Sequence, residues 1–335
     1  MKAFVTGGNG FIGSFLAEFL LEKGYEVCCL VRPTSNLQWV KDLPVRFVYG
    51  DLYDKDFLID VVKKQEYVFH LAGKIKARHW DDYYMTNVTG TRNLVEACAE
   101  GNSNLKRFVY VSSIAASGPS GKGKLKDEED ADSPVNEYGK TKLLGEDVVR
   151  SLGTRMPFVI LRPPNVLGPR QEELYSILKI LQSRVKLLLG NGDKQLSICF
   201  IGDLVRGIEM AATSEHTVGK TYFITDGNTY SWREIADTIA EELGVSPFVI
   251  PVPYVLLLII ASLLGFVARL RGEKSFFDAS TLKRIRTTYL TYDSSKASRD
   301  FGFSARTDMA TGIKRTVEWY TRRGLLRTPR GKRRI

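Results

Sequence analysis

An α/β fold is what this sequence predicts: a doubly wound parallel sheet with a smaller, mainly helical second domain built from C-terminal insertions. Three observations predict it. Short runs rich in β-branched and aromatic residues alternate with helical patterns through the first half of the chain. A glycine-rich turn, TGGNGFIG, stands directly between the first such run and the first helical pattern. Beyond the sixth run the alternation loosens and helical patterns dominate.

The first strand is KAFVT, followed by a helix in SFLAEFLLEKG. YEVCCLV, VRFVYG, EYVFHLA and KRFVYVS supply the next four strands, and NVTGTRNLVEACAEG a helix between the last two. MPFVILRPP reads as a sixth strand and KTYFITDG as a later one. Strands separated by helices favour parallel pairing with both faces covered, and such strands are apolar on both sides. Helical patterns then recur around 172–184, 203–213, 231–243, 254–271 and 308–323. The predicted organisation is a first domain at 1–165 with returning segments around 198–228. A second domain takes 166–197 and 229–325, and a basic tail runs over 326–335. There is no internal repeat or low-complexity linker.

A chain of 335 residues, 44% hydrophobic and 26% charged, can build one large domain or two modest ones. Cys28, Cys29, Cys98 and Cys199 lack metal-ligand spacing. Cys28 and Cys29 lie inside an apolar strand as small hydrophobes, so a reducing compartment without disulfides is expected. His70, His79 and His216 are too scattered for a histidine-built metal site, and no metal is predicted. The first strand begins at once, leaving no place for a signal peptide, and the expected location is cytoplasmic. The formal net charge of +10 is concentrated in the last stretch, YTRRGLLRTPRGKRRI. That stretch reads either as a solvated tail or as a contact for an anionic surface. Nothing else supports nucleic acid, which is not predicted as a partner.

In TGGNGFIG, Gly7 permits a tight turn, Gly10 lets backbone N–H groups approach a pyrophosphate, and Gly13 lets the helix pack close to the sheet. Phe11 and Ile12 belong to the same turn and are counted with the glycines as cofactor-binding residues. The strand–turn–helix context makes this a Rossmann-type dinucleotide site. An NAD site usually places an acid after the second strand to grip the ribose diol. Here that place reads LVRPTSN. Arg32 offers a fork of donors suited to a 2′-phosphate, and Ser35 adds a small polar group beside it. NADP (as NADPH) is therefore expected over NAD, the alternative being a surface arginine in a loop.

Tyr138 and Lys142, in YGKTK, stand at i and i+4 of a predicted helix and share a face. An ammonium beside a phenol favours phenolate, and Tyr138 can then exchange a proton with a carbonyl or alcohol oxygen. Ser113, at the end of the fifth strand in YVSSIAASG, can donate a hydrogen bond to the same oxygen.

With these motifs in place the chain resembles the extended short-chain dehydrogenase/reductase family. That group holds nucleotide-sugar epimerases and dehydratases, dihydroflavonol reductases and 3β-hydroxysteroid dehydrogenases. The resemblance runs to about residue 325, through TGGNGFIG, GDL, HLAG, NVTGTRNLVEA, YVSSIAASG, YGKTK, LRPPNVLGPR and FIGDLVRGI. It implies that Asp51 and Leu52 border the adenine, and that Leu71, Ala72 and Gly73 line the ribose and phosphate side. It further implies that Pro163 and Val166 touch the nicotinamide end, and that Lys142 also holds the nicotinamide ribose. Of the two serines it assigns Ser113 to catalysis and leaves Ser112 a structural part. Asn87 would support the catalytic helix and its proton relay and is counted, with Tyr138, among the cofactor-binding residues, a helix N-cap being the plainer reading. His70, in an apolar strand, reads as a satisfied core histidine.

The residues after Ser113 are Ile114, Ala115 and Ala116, so the acid–base pair of sugar 4,6-dehydratases is missing. Arg32 argues against the epimerases, which usually keep an acid after the second strand, while Asn165 and Arg170 keep that branch open because they lie near a sugar diphosphate in epimerase relatives. A run from Val252 to Ala268, followed by Arg269, Arg271 and Lys274, reads as a buried helix, an interfacial membrane contact or a span. The expected function is an NADP-dependent oxidoreductase interconverting a ketone and a secondary alcohol on an apolar substrate, sterol-like or a long-chain 3-oxo lipid. The alternatives are a nucleotide-sugar epimerase and a non-catalytic scaffold. A homodimer and a peripheral contact with an anionic membrane are the expected associations.

Overall fold

The computed structural model describes residues 1–152, 155–189, 192–252 and 289–328. The apolar run beyond Val252, with Arg269, Arg271 and Lys274, lies outside the described residues, as do Arg330, Lys332, Arg333 and Arg334 of the tail.

The first half is a regular alternation: β1 (Lys2–Thr6), α1 (Phe11–Glu22), β2 (Glu26–Val31), β3 (Arg46–Tyr49), α2 (Lys55–Val62) and β4 (Tyr67–His70). It continues with α3 (Trp80–Tyr84), a π-helical turn (Met85–Thr89), α4 (Gly90–Gly101) and β5 (Arg107–Val111). Next come α5 (Ile114–Ser117), α6 (Glu137–Leu152), β6 (Phe158–Arg162) and β7 (Asn165–Leu167). The remainder comprises α7 (Glu172–Gln182), β8 (Val185–Leu189), β9 (Gln195–Leu196), β10 (Ile198–Phe200), α8 (Ile201–Thr213) and β11 (Lys220–Phe223). After these stand β12 (Tyr230–Ser231), α9 (Trp232–Glu242), β13 (Phe248–Val252), α10 (Ser295–Phe301) and α11 (Met309–Arg322).

Seven strands form one parallel sheet in the order β11-β6-β5-β4-β1-β2-β3. Every residue of β4, β5 and β6 is buried, which is why these strands read as apolar runs interrupted only at one end, by His70, Arg107 and Arg162; edge strand β3 keeps both ends exposed. One apolar cluster, including Leu16, Leu20, Ile208 and Tyr222, packs α1 and α8 on one face. Another, including Leu58, Leu94, Cys98 and Val149, packs α2, α4 and α6 on the other. A separate core joins Leu174, Leu178, Ile235, Ile239, Ile313 and Val317, so α7, α9 and α11 form their own helical layer. Side-chain caps start these elements: Asp54 for α2, Ser231 with Glu234 as a capping box for α9, and Asp308 for α11.

The short pairs β10–β7 (parallel) and β12–β9 (antiparallel) were not foreseen, because two or three residues carry no readable period, and the five-residue parallel pair β13–β8 was not foreseen either. All four cysteines are free and buried. Among the described residues no helix is long and apolar enough to cross a membrane.

Candidate active site

The strand order reverses between β1, which leads outward to β2, and β4, which leads the other way; crossovers leave this point on opposite sides and open a cleft at the strands' carboxyl ends. The cleft has a volume of about 430 Å³. At its floor Gly7 adopts φ +71°, and a Cβ there would stand 2.7 Å from the Ala72 backbone nitrogen. A Cβ on Gly13 would collide with the Gly7 carbonyl, so α1 can approach the turn this closely only with glycine. The first turn of α1 carries no acidic side chain, which leaves its positive end uncompensated toward the cleft. Gly10, Phe11, Ile12, Leu71, Ala72 and Gly73 also line the cleft.

At the far end, β2 finishes without an acid. The Arg32 N–H donates to Ser35 Oγ at 3.0 Å and the Ser35 N–H to the Arg32 carbonyl at 2.9 Å, which fixes the turn. Arg32 and Ser35 both line the cleft, and the Arg32 side chain makes no ion pair among the described residues. Asp51 lines the same end with one oxygen accepting the Tyr53 N–H at 2.7 Å, and buried Leu52 stands next to it. An uncompensated helix end and a glycine cradle are a donor set that fits a dinucleotide pyrophosphate.

His70 is fully buried and joins two parts of this frame. The Thr6 hydroxyl lies 2.6 Å from Nδ1 and also accepts the Ala72 N–H at 3.2 Å; Nε2 lies 2.9 Å from Thr91 Oγ1, which donates to the Asn87 carbonyl at 2.7 Å. Both hydroxyl protons are thereby assigned, and His70 is the neutral tautomer protonated on Nε2. Burial, aided by the Lys142 charge, lowers its pKa to about 3. It is a core histidine with both nitrogens satisfied.

Tyr138 and Lys142 rise into the cleft from the buried face of α6. Lys142 Nζ donates to the Val111 carbonyl at 2.9 Å and stands 4.1 Å from the Tyr110 ring centroid. Burial lowers its pKa to about 7, against the pull of Glu146. Burial raises the Tyr138 pKa, Tyr83 adds to the rise, and a hydrogen bond with Ser113 draws it back. The ammonium-activated phenolate expected from the i, i+4 spacing is therefore not the resting arrangement. The low-polarity surroundings disfavour both charges, leaving Tyr138 a phenol with a proton to give.

Ser113 caps α5, its Oγ accepting the Ala115 N–H at 3.1 Å. Ser112 lines the cleft and donates to Glu146 at 2.6 Å. Asn87 is buried within the π turn and is not an N-cap. Its Oδ1 accepts the Lys74 N–H at 2.7 Å, and its Nδ2 donates to the Lys74 carbonyl at 3.1 Å and Thr141 Oγ1 at 3.0 Å, tying the loop after β4 to α6. Pro163 and Val166 do not line the cleft; the Pro163 carbonyl accepts the Ile114 N–H at 3.1 Å, and Val166 packs in the core. Arg170 is engaged elsewhere: its guanidinium reaches Ser14 at 3.0 Å and Glu18 at 2.7 Å, with Phe15 and Trp39 against its faces. It is not available to a sugar diphosphate.

A larger hollow of about 690 Å³ lies between residues 123–125 and the starts of α9 and α11, and holds none of the predicted residues. Its Glu234 and Asp308 are occupied as helix caps. Sequence reading missed Lys74 in the cleft wall and the buried carboxylate Glu146, four residues after Lys142. The second had a signal: Glu146 falls on the same helical face as Lys142 and Val149, where an acid must be paired.

The model of the NAD-dependent epimerase/dehydratase family matches residues 3–224. The chain is 26% identical over 324 residues to a ceramide reductase of Caulobacter vibrioides (strain NA1000 / CB15N), covering 96% of this chain and 95% of the relative. It is 28% identical over 334 residues to a 2-alkyl-3-oxoalkanoate reductase of Stenotrophomonas maltophilia (strain K279a), covering 94% and 98%. Among solved structures, MoeE5 in complex with UDP-glucuronic acid and NAD is similar with a TM-score of 0.77 and 26% identity, covering 97% of this chain and all of that one (100%).

Proposed function

The chain belongs to the NAD-dependent epimerase/dehydratase family and is an NAD(P)-dependent oxidoreductase; from that premise we propose that it uses NADPH to reduce a ketone on an apolar, long-chain 3-oxo or sterol-like substrate. The observation that carries this reading is the pairing of a Tyr138 that burial keeps protonated, beside Lys142 in the cleft, with an arginine where an acid would hold a ribose diol. The glycine turn and the α1 end hold the pyrophosphate, Arg32 and Ser35 the 2′-phosphate, and Lys142 the nicotinamide ribose. NADPH supplies the hydride. Ser113 donates to the carbonyl oxygen and polarises it, and Tyr138 delivers its proton to that oxygen as charge develops there. Lys142, half-protonated near pH 7, stabilises the tyrosinate left behind.

The names of the ceramide reductase and the 2-alkyl-3-oxoalkanoate reductase support an apolar ketone. A nucleotide-sugar epimerase is the second reading, favoured by the likeness to MoeE5 with UDP-glucuronic acid and NAD. Arg32 and the Glu18-bound Arg170 weigh against it. Phe248 (78% exposed) and Ile250 (46%) on β13 lie just before the Val252 to Ala268 run and, with Leu187 (47%) on the paired β8, support a peripheral contact with an anionic membrane. The outward faces of α4 and α6 are the proposed homodimer surface.

The test is NADPH absorbance with 3-oxo lipids, ketosteroids and nucleotide sugars offered side by side. Oxidation of NADPH with the first two classes is expected. No NADPH oxidation with any class, together with a nucleotide sugar whose configuration changes by NMR in the same mixture, would replace the proposal with the epimerase reading.

A further inference from the structure

Glu146 is completely buried on α6 and is held by three groups from different parts of the chain. Ser112 Oγ donates to it at 2.6 Å, Arg162 donates twice at 2.9 and 2.6 Å, and Arg150 donates at 2.6 Å. Arg162, itself 2% exposed, also makes a two-pronged contact with Asp132 at 2.8 and 2.7 Å. Ser112 immediately precedes Ser113, Arg162 immediately precedes Pro163, and Lys142 lies one helical turn before Glu146. One carboxylate therefore ties together the carboxyl ends of β5 and β6 and the helix that carries Tyr138.

We propose that Glu146 is a positioning residue that sets the charge state of Lys142 and fixes Ser113 relative to Tyr138. This rests on the reading of Ser113, Tyr138 and Lys142 as the reacting groups. Glu146 and Asp132 face Arg162, and Arg150 is shared between Glu146 and Asp147. Removing the Glu146 charge takes away the buried anion one helical turn from a buried ammonium. The other groups facing Lys142 do not replace it: Tyr138 on α6, Tyr110 and the Val111 carbonyl on β5, and neutral His70 on β4. Tyr110, also close to Glu146, is kept a neutral phenol by burial. Glu146 is thus the one anion on α6 that opposes the desolvation of Lys142.

The test is an NMR titration of full-length protein labelled with ¹³C at the lysine ε-carbon, with the Lys142 signal assigned by its loss in Lys142→Met. The wild-type midpoint is expected near 7. Glu146→Gln should lower it by about one pH unit or more, as for loss of an opposite charge one helical turn away. Arg150→Gln removes a cation from Glu146 at a position 37% exposed, where folding is not at risk, and should move the midpoint upward. With an active preparation, the pH–rate limb of Glu146→Gln should shift with the titration, which a merely structural role would not produce. An unmoved midpoint in folded Glu146→Gln overturns the proposal; if that variant does not fold, an unmoved midpoint in Arg150→Gln does so. The titration needs no substrate, so failure of the reductase reading, seen as an inactive wild type, remains separate.

Discussion

Replacing Lys142 with Met should remove activity while making the protein more stable at neutral pH, and the gain should shrink as pH rises. The folded-state pKa of about 7 lies below the ordinary 10.5. Between those values the unfolded chain binds a proton that the folded chain does not, so wild-type stability rises with pH. At about 1.36 kcal/mol per unit, the charged side chain costs roughly 4 kcal/mol at pH 7 and roughly 2 at pH 9. Methionine escapes this but leaves the Val111 carbonyl without its donor, a loss of about 1–3 kcal/mol. The net gain at pH 7 is therefore about 1–3 kcal/mol, narrowing by about 2 kcal/mol at pH 9. Urea unfolding of both proteins at the two pH values measures it, and other titrating groups cancel in the difference. A gap that stays constant, or widens with pH, would refute a desolvated Lys142.

Arg32→Ala should weaken NADPH by about 10- to 100-fold in a fluorescence titration and leave NADH unchanged, because a charge-assisted phosphate contact contributes roughly 1.5–3 kcal/mol; equal losses for both would remove the 2′-phosphate assignment. Tyr138→Phe should cost about two to four decades in rate with NADPH affinity retained, since only the proton carrier is lost; near-normal turnover would exclude Tyr138 as the acid. The protein should co-sediment with anionic liposomes at low salt, and Phe248→Ser, at a side chain 78% exposed, should reduce that binding; protein remaining in the supernatant would discard the membrane contact.

How far the sequence reaches differs from one region to another. The sheet was readable because strands buried on both faces are mostly apolar, and β1, β2, β4, β5 and β6 fall inside the runs that composition marks. The glycine turn was readable because backbone approach to Ala72 and Gly7 excludes any side chain at Gly7 and Gly13. The charge states at Tyr138 and Lys142 were not, since i, i+4 spacing reports proximity on a helix and says nothing of desolvation. Arg170 was misleading for a similar reason. A motif keeps a residue type, but Glu18, Phe15 and Trp39, far away in sequence, decide where its guanidinium goes. The π turn at Asn87 was invisible because its hydrogen bonds to Lys74 and Thr141 form only when α6 packs against the loop after β4.

The central claim is net hydride transfer from NADPH to a ketone, with the proton supplied by Tyr138. It is tested most directly with NADPH deuterated at the transferable position of nicotinamide C4, the substrate found in the absorbance screen, and mass spectrometry of the product. The predicted result is one deuterium on the new carbinol carbon for each NADP⁺ released, lost in Tyr138→Phe. A nucleotide sugar that changes configuration with no net consumption of NADPH and no deuterium gained would contradict it.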